Sequence, residues 1–224
     1  MAHQCSYCGK EYVRESSFLV HVCEQKLRHQ QKDERGVQLG YHGYIEFYRK
    51  AQGSAKNKTY DDFSSSSYYK AFVKWGRYCV NTRVINPEGF LHWLLDNNKR
   101  LDNWAKDSLY SEYLENYVYE ENATQALTRA LELSVEWSEE TENPDRDYLK
   151  YANRNGLCYK ISSGRLSAWV LYNCASGIEL LEDLTTEQIQ IVWPFIDSDR
   201  WSKTFSRYPA DQEYLKQLLK EAGW

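Results

Sequence analysis

The sequence predicts a mostly α-helical protein in which a small separate module precedes an aromatic-rich helical domain. Three observations carry this. Apolar residues recur at helical spacing through most of the chain after residue 35. Gly and Pro together number only 15 of 224 residues, too few for a collagen-like or largely disordered chain, and hydrophobic residues make up 42%. The first 30 residues break the pattern, being short of aliphatics and holding three of the six cysteines. We therefore expect a module at 1–30 and a helical domain at 36–224, with a possible sub-boundary near 144–156.

The helical elements follow in order. Val37, Leu39, Tyr41, Tyr44, Ile45 and Tyr48 share helical spacing, and Gly53–Lys58 then reads as a turn or basic linker. Tyr69, Phe72, Val73, Gly76 and Val80 mark a second helix, with Lys70, Lys74 and Arg77 on its other side. Asn86-Pro87 is a helix start, because Asn caps orphan N–H groups and Pro at the first position has none to lose. That helix runs through Phe90, Leu91, Trp93, Leu94 and Leu95, and Leu101 to Tyr117 carries another. Asn122 with Gln125 resembles a capping box ahead of Leu127, Ala130, Leu131, Ser134 and Trp137, and Pro144 closes the segment. Leu157–Ile161, between Gly156 and Gly164, reads as a short strand, and 165–175, 185–195 and 209–222 read as three more helices. Lys26 to Arg35 is dense in Lys, Arg, Gln and His and is expected to be a solvated helix extension or linker.

One motif carries chemistry. Cys5 and Cys8 stand at the spacing with which a tight turn presents two thiolates to one tetrahedral ion, and His21 follows after twelve residues. Tyr12 and Phe18 fall between them. Cys5-Ser6-Tyr7-Cys8-Gly9-Lys10-Glu11-Tyr12 resembles the hairpin of the two-Cys, two-His zinc fingers, and Arg14 to His21 resembles the start of that family's helix. The resemblance covers about 23 residues and implies a structural zinc ion. It departs from the family at the fourth ligand, because a second His is missing from positions 25–27. Cys23 and His29 are the candidates. On a straight helix Cys23 is about 200° round from His21 and needs a distorted turn, whereas His29 lies about 12 Å further along. We expect Cys5, Cys8, His21 and Cys23 to be the set, with His3 and His29 as spares.

The family's sequence-reading positions fall near Val13 to Ser17, of which Arg14 is the one strong guanine reader. Lys10, Lys26, Arg28 and Lys32 lie around it. Residues 1–58 carry a net +4 and residues 115–147 a net -8, within a chain of net -4. Tyr68 to Tyr78 interleaves rings with Lys70, Lys74 and Arg77 as single-strand binders do, so Trp75 is expected to stack on bases. Together these point to nucleic-acid binding through Lys10, Arg14, Lys70, Lys74, Trp75 and Arg77, with DNA preferred over RNA. A protein-protein adaptor that touches no nucleic acid is the alternative reading, which the net negative charge favours.

Other constellations read more plainly. The acidic run from Glu132 to Asp147 is expected to be a solvated helix end, Cys79, Cys158 and Cys174 small buried hydrophobes, and His92 a core or boundary residue. No phosphate loop, dinucleotide fingerprint or hydrolase motif occurs, so no enzyme activity and no small-molecule substrate is expected. A nuclease built on Asp61, Asp62, Asp96, Asp102 and Asp107 is the least favoured reading. The chain lacks a run of about 18 apolar residues and an apolar leader, so a cytoplasmic protein without a membrane partner is expected. Asn86 to Leu95, followed by Leu101-Asp102-Asn103-Trp104, is similar to uncharacterised single-zinc-finger proteins of large tailed bacteriophages. That resemblance implies an accessory factor for nucleic-acid machinery in the host bacterial cytoplasm.

Overall fold

A computed structural model describes residues 3–52 and 58–224, so the expected basic linker, apart from Lys58, lies outside the described residues. The chain divides into two compact units, one ending at Lys106 and one running from Asp107 to Trp224. The metal module therefore shares a unit with the helices that follow it, and the division falls at 106/107 rather than after residue 30 or near 144–156.

The first unit opens with strands β1 (His3–Gln4) and β2 (Glu11–Tyr12), paired antiparallel with His3 opposite Tyr12. Helices α1 (Glu15–Leu19), α2 (Glu24–Gln30), α3 (Arg35–Gln52), α4 (Tyr60–Ser65), α5 (Tyr69–Asn81) and α6 (Pro87–Asp96) follow, then a 3-10 turn at Leu101–Asn103. α4 is started by a reciprocal cap, in which Thr59 and Asp62 each bond the other's backbone N–H. α6 begins as expected, with the Asn86 side chain accepting from the Gly89 N–H at 2.9 Å. α3 and α5 approach so closely that glycine is required at the crossing. A Cβ on Gly76 would stand 2.0 Å from the Gly36 carbonyl oxygen, and one on Gly40 would stand 2.8 Å from that of Phe72.

Around this crossing Phe63, Phe72, Trp75 and Trp104 are fully buried. Phe72 and Trp75 meet the Trp104 ring edge-on at 5.7 and 5.9 Å, and the Trp104 indole N–H donates to the Lys99 carbonyl at 2.9 Å. This corrects the reading of Trp75 as a base-stacking residue. At the 3.6-residue period it falls on the same helix face as Phe72 and Cys79, which faces α3 and not solvent. His92 is also corrected, since it is exposed on α6 between the buried Leu91 and Leu94.

The second unit contains α7 (Asp107–Tyr117), α8 (Ala123–Thr141), a 3-10 turn at Asp145–Asp147, α9 (Tyr148–Tyr151) and α10 (Arg154–Ser162). It continues through α11 (Ala168–Leu171), α12 (Ala175–Glu182), α13 (Thr186–Ile196), α14 (Ser198–Arg207) and α15 (Pro209–Glu221). The expected strand at Leu157–Ile161 is helical, within α10. Asn153 caps that helix by accepting from Gly156 N–H at 3.0 Å, and Leu157, Cys158 and Ile161 bury one helical face. The expected helix at 165–175 is the short α11, followed by the first residue of α12, and α14 was not foreseen. The core gathers Trp169, Trp201 and Phe205, and the Trp169 indole N–H donates to the Glu121 carbonyl at 3.0 Å. The Glu121 carboxylate is buried beside the Arg129 guanidinium. Cys79, Cys158 and Cys174 are buried free thiols. Among the described residues no helix is long and apolar enough to cross a membrane.

Candidate metal centre

The front hairpin is closed by backbone bonds. Cys5 N–H donates to the Lys10 carbonyl at 2.9 Å, and Gly9 N–H donates to that of Cys5 at 2.8 Å. Gly9 takes φ +69°, a left-handed turn that costs glycine nothing, and it brings Cys8 back beside Cys5. α1 then runs for only five residues. The chain leaves helical geometry at Val20, passes His21 and Val22, and starts again at Cys23, which caps α2. This break removes the angular difficulty of a straight helix, so that His21 and Cys23 face the same point.

Donor atoms of Cys5, Cys8, His21 and Cys23 all lie within 4.8 Å of one another. Cys5 Sγ stands 3.6 Å from Cys23 Sγ, and Cys8 Sγ stands 3.4 Å from His21 Nε2. Ligands on a tetrahedral ion at a metal–sulfur distance of about 2.3 Å are about 3.8 Å apart, so these four fit one ion and leave no open position. Backbone N–H groups of Cys8 and Tyr7 bring the Cys5 thiol down to about 6, toward the thiolate a metal requires. Little else holds the module. No residue of α1 is buried, and its small ring cluster is Tyr12 against His21 at 5.0 Å and against Phe18 at 6.0 Å.

The two spare histidines are used elsewhere. His3 stacks on Phe18. His29 Nε2 stands 3.4 Å from Ser64 Oγ and 3.6 Å from an Asp61 carboxylate oxygen, with its ring between Tyr7 and Tyr60. Of the two readings of Lys26–Arg35, solvated helix extension or linker, the structure shows the helix, since α2 runs to Gln30 without a buried residue, but that helix is not loose. α2 is anchored on α4 and α5: the Tyr60 hydroxyl donates to the Arg28 carbonyl at 2.6 Å, and Arg28 donates to the Ser64 carbonyl. The Arg28 guanidinium also lies over the Tyr69 ring at 4.4 Å. No sequence signal carried these contacts, because they join positions more than thirty residues apart.

Between α2 and α5 runs a groove of about 610 Å³ whose lining includes Arg28, Lys70, Lys74 and Arg77. Lys70 reaches Glu24 at 3.1 Å and Arg77 reaches Glu34 at 2.7 Å, while Lys74 has no partner among the described residues. Lys10 and Arg14 lie apart from this row, Lys10 over the Tyr12 ring at 5.6 Å and Arg14 exposed just before α1. The carboxylates of the nuclease reading have separate duties. Asp62 caps α4 and Asp96 pairs with Lys50, and among the described residues the Cys/His group is the cluster that could hold a metal. Charge follows the structural division: the chain up to Lys106 holds 17 Lys/Arg against 11 Asp/Glu, a net +6, and the rest holds 11 against 21, a net -10.

Compared with protein-family models, curated proteins and solved structures, the chain has no match.

Proposed function

We propose that this chain is a zinc-containing nucleic-acid-binding accessory protein, preferring DNA over RNA, which serves replication, recombination or transcription. The phage resemblance would place that work in a bacterial cytoplasm. Zinc is the ion suited to three thiolates and one imidazole in a closed tetrahedral set, and its role is structural. The observation that carries the nucleic-acid reading is the partition of charge. The unit up to Lys106 carries net +6 and presents Lys70, Lys74 and Arg77 along one groove, whereas the unit from Asp107 carries net -10.

Fluorescence anisotropy of labelled DNA and RNA oligonucleotides, titrated with zinc-loaded protein at several salt concentrations, tests this. Affinity should fall linearly with the logarithm of salt, because cations that neutralise phosphates release counterions. Absence of binding at low salt would refute it. A second reading, the protein-protein adaptor, is favoured by one feature of the finger. Val13, Leu19, Val20 and Val22 are 73–93% exposed on a module of under thirty residues, an apolar surface that a nucleic acid does not need.

A further inference from the structure

We infer that the groove between α2 and α5 is a site for single-stranded nucleic acid. Lys70, Lys74 and Arg77 would take successive phosphates, and an unpaired base would lie on the floor formed by Leu27, Val73 and Tyr78. The inference rests on the nucleic-acid reading above and narrows it to one class of substrate and one place.

Shape is the first argument. A duplex is read by elements that protrude into its grooves, and this site is a recess. The finger offers no such protrusion, since α1 has five residues and is about 7.5 Å long. A recess of about 610 Å³ lies within the range of sites that enclose a small ligand, which suits a base and its sugar.

Charge is the second. Positions 70, 74 and 77 form one stripe along α5, about 10.5 Å from end to end. Lys74 is exposed and without a partner among the described residues, and Lys70 is 79% exposed. The ion pairs of Lys70 and Arg77 with Glu24 and Glu34 are at the surface, where such pairs cost little to exchange for phosphate. Glu24 is the one carboxylate among the residues that line the groove.

The third argument separates a nucleic acid from an acidic peptide, which the cations alone would also attract. Gln31 and Asn81 line the groove as well, with neither side-chain amide engaged among the described residues. Amides of this kind pair with base edges, and stacking on a tyrosine ring tolerates any base. Tyr78, half-buried in the groove lining, thus takes the role that sequence spacing gave to Trp75, three residues further along α5.

The test uses full-length, zinc-loaded protein and three probes: a labelled single-stranded oligonucleotide, the same sequence as duplex, and a Glu-rich peptide of equal charge. The single strand should bind more tightly than the duplex. Lys74→Glu should weaken single-strand binding roughly tenfold and lower the salt slope by about one, and Asn81→Ala should weaken it without changing that slope. Lys203→Glu, an exposed cation on α14 outside the groove, should leave binding near the wild-type value. Lys74 and Asn81 are exposed, so circular dichroism should show both variants folded. If Lys10→Glu, on the finger, abolishes binding and Lys74→Glu does not, the groove assignment falls while the nucleic-acid reading stands. Tighter binding of duplex overturns the single-strand inference. Binding of the acidic peptide alone overturns both readings.

Discussion

Gly76→Ala and Gly156→Ala are the same substitution with opposite expected signs. Both sites are helical, and alanine there is favoured over glycine by up to about 1 kcal/mol from backbone entropy. At Gly156 the new methyl would meet nothing nearer than 3.9 Å, and the gain should be about 0.5 kcal/mol at this first-turn position. At Gly76 it would stand 2.0 Å from the Gly36 oxygen and 2.7 Å from the Gly40 nitrogen, which are backbone atoms that no rotamer change can move. α3 and α5 must separate, and overpacking of this kind costs about 3 kcal/mol or more, for a net loss of about 2 kcal/mol. For a unit of this size that is a fall in melting temperature of roughly 8–16 °C. Thermal melts, with hydrogen exchange of α3 and α5 to locate the change, provide the assay. A Gly76→Ala protein as stable as wild type would refute the close crossing of α3 and α5 that buries the Trp75 face.

Chelation should remove hydrogen-exchange protection from α1 and from the start of α2, which Cys23 caps, while α8 keeps its protection. After chelation Ellman's reagent should titrate Cys5, Cys8 and Cys23 in the folded protein, and all six thiols only once it is denatured. Burial pushes the Cys79 thiol up to about 12, so a fourth native thiol would contradict the fold. Burial also raises the Glu121 carboxyl, against the pull of Arg129. The folded state then holds a proton that the unfolded state has lost, so this group's contribution to stability falls as pH rises above the ordinary carboxylate range. Arg129→Ala should cost about 3–5 kcal/mol near neutral pH and clearly less near pH 5, where the abandoned carboxyl takes up a proton. Urea denaturation at both values measures this, and an equal loss at the two would refute it.

Local signals in the sequence were enough for most helices and for the ligand set. Asn86-Pro87 and Asn122 mark starts that the structure keeps, and the Cys5-Cys8 spacing with His21 leads to the observed cluster. The choice of Cys23 over His29 followed from the reach of a helix and needed only the break at Val20 to be realised. What failed depended on distant partners. Trp75 sits among cations in sequence, and only the crossing with α3 shows that its face is the buried one. Gly156 and Gly164 suggested a strand, although Leu157, Cys158 and Ile161 already had helical spacing and Asn153 a capping side chain. The Thr59–Asp62 cap was legible and was passed over, while the attachment of α2 to α4 had no local signature.

The account stands on a closed site made by Cys5, Cys8, His21 and Cys23. Native mass spectrometry of the wild type and of the Cys23→Ala and His29→Ala variants, each expressed with zinc, tests it most directly. One zinc ion per chain in the wild type and in His29→Ala, with none retained by Cys23→Ala, is the predicted result. Retention by Cys23→Ala with loss from His29→Ala, or a wild-type protein without zinc, would contradict it.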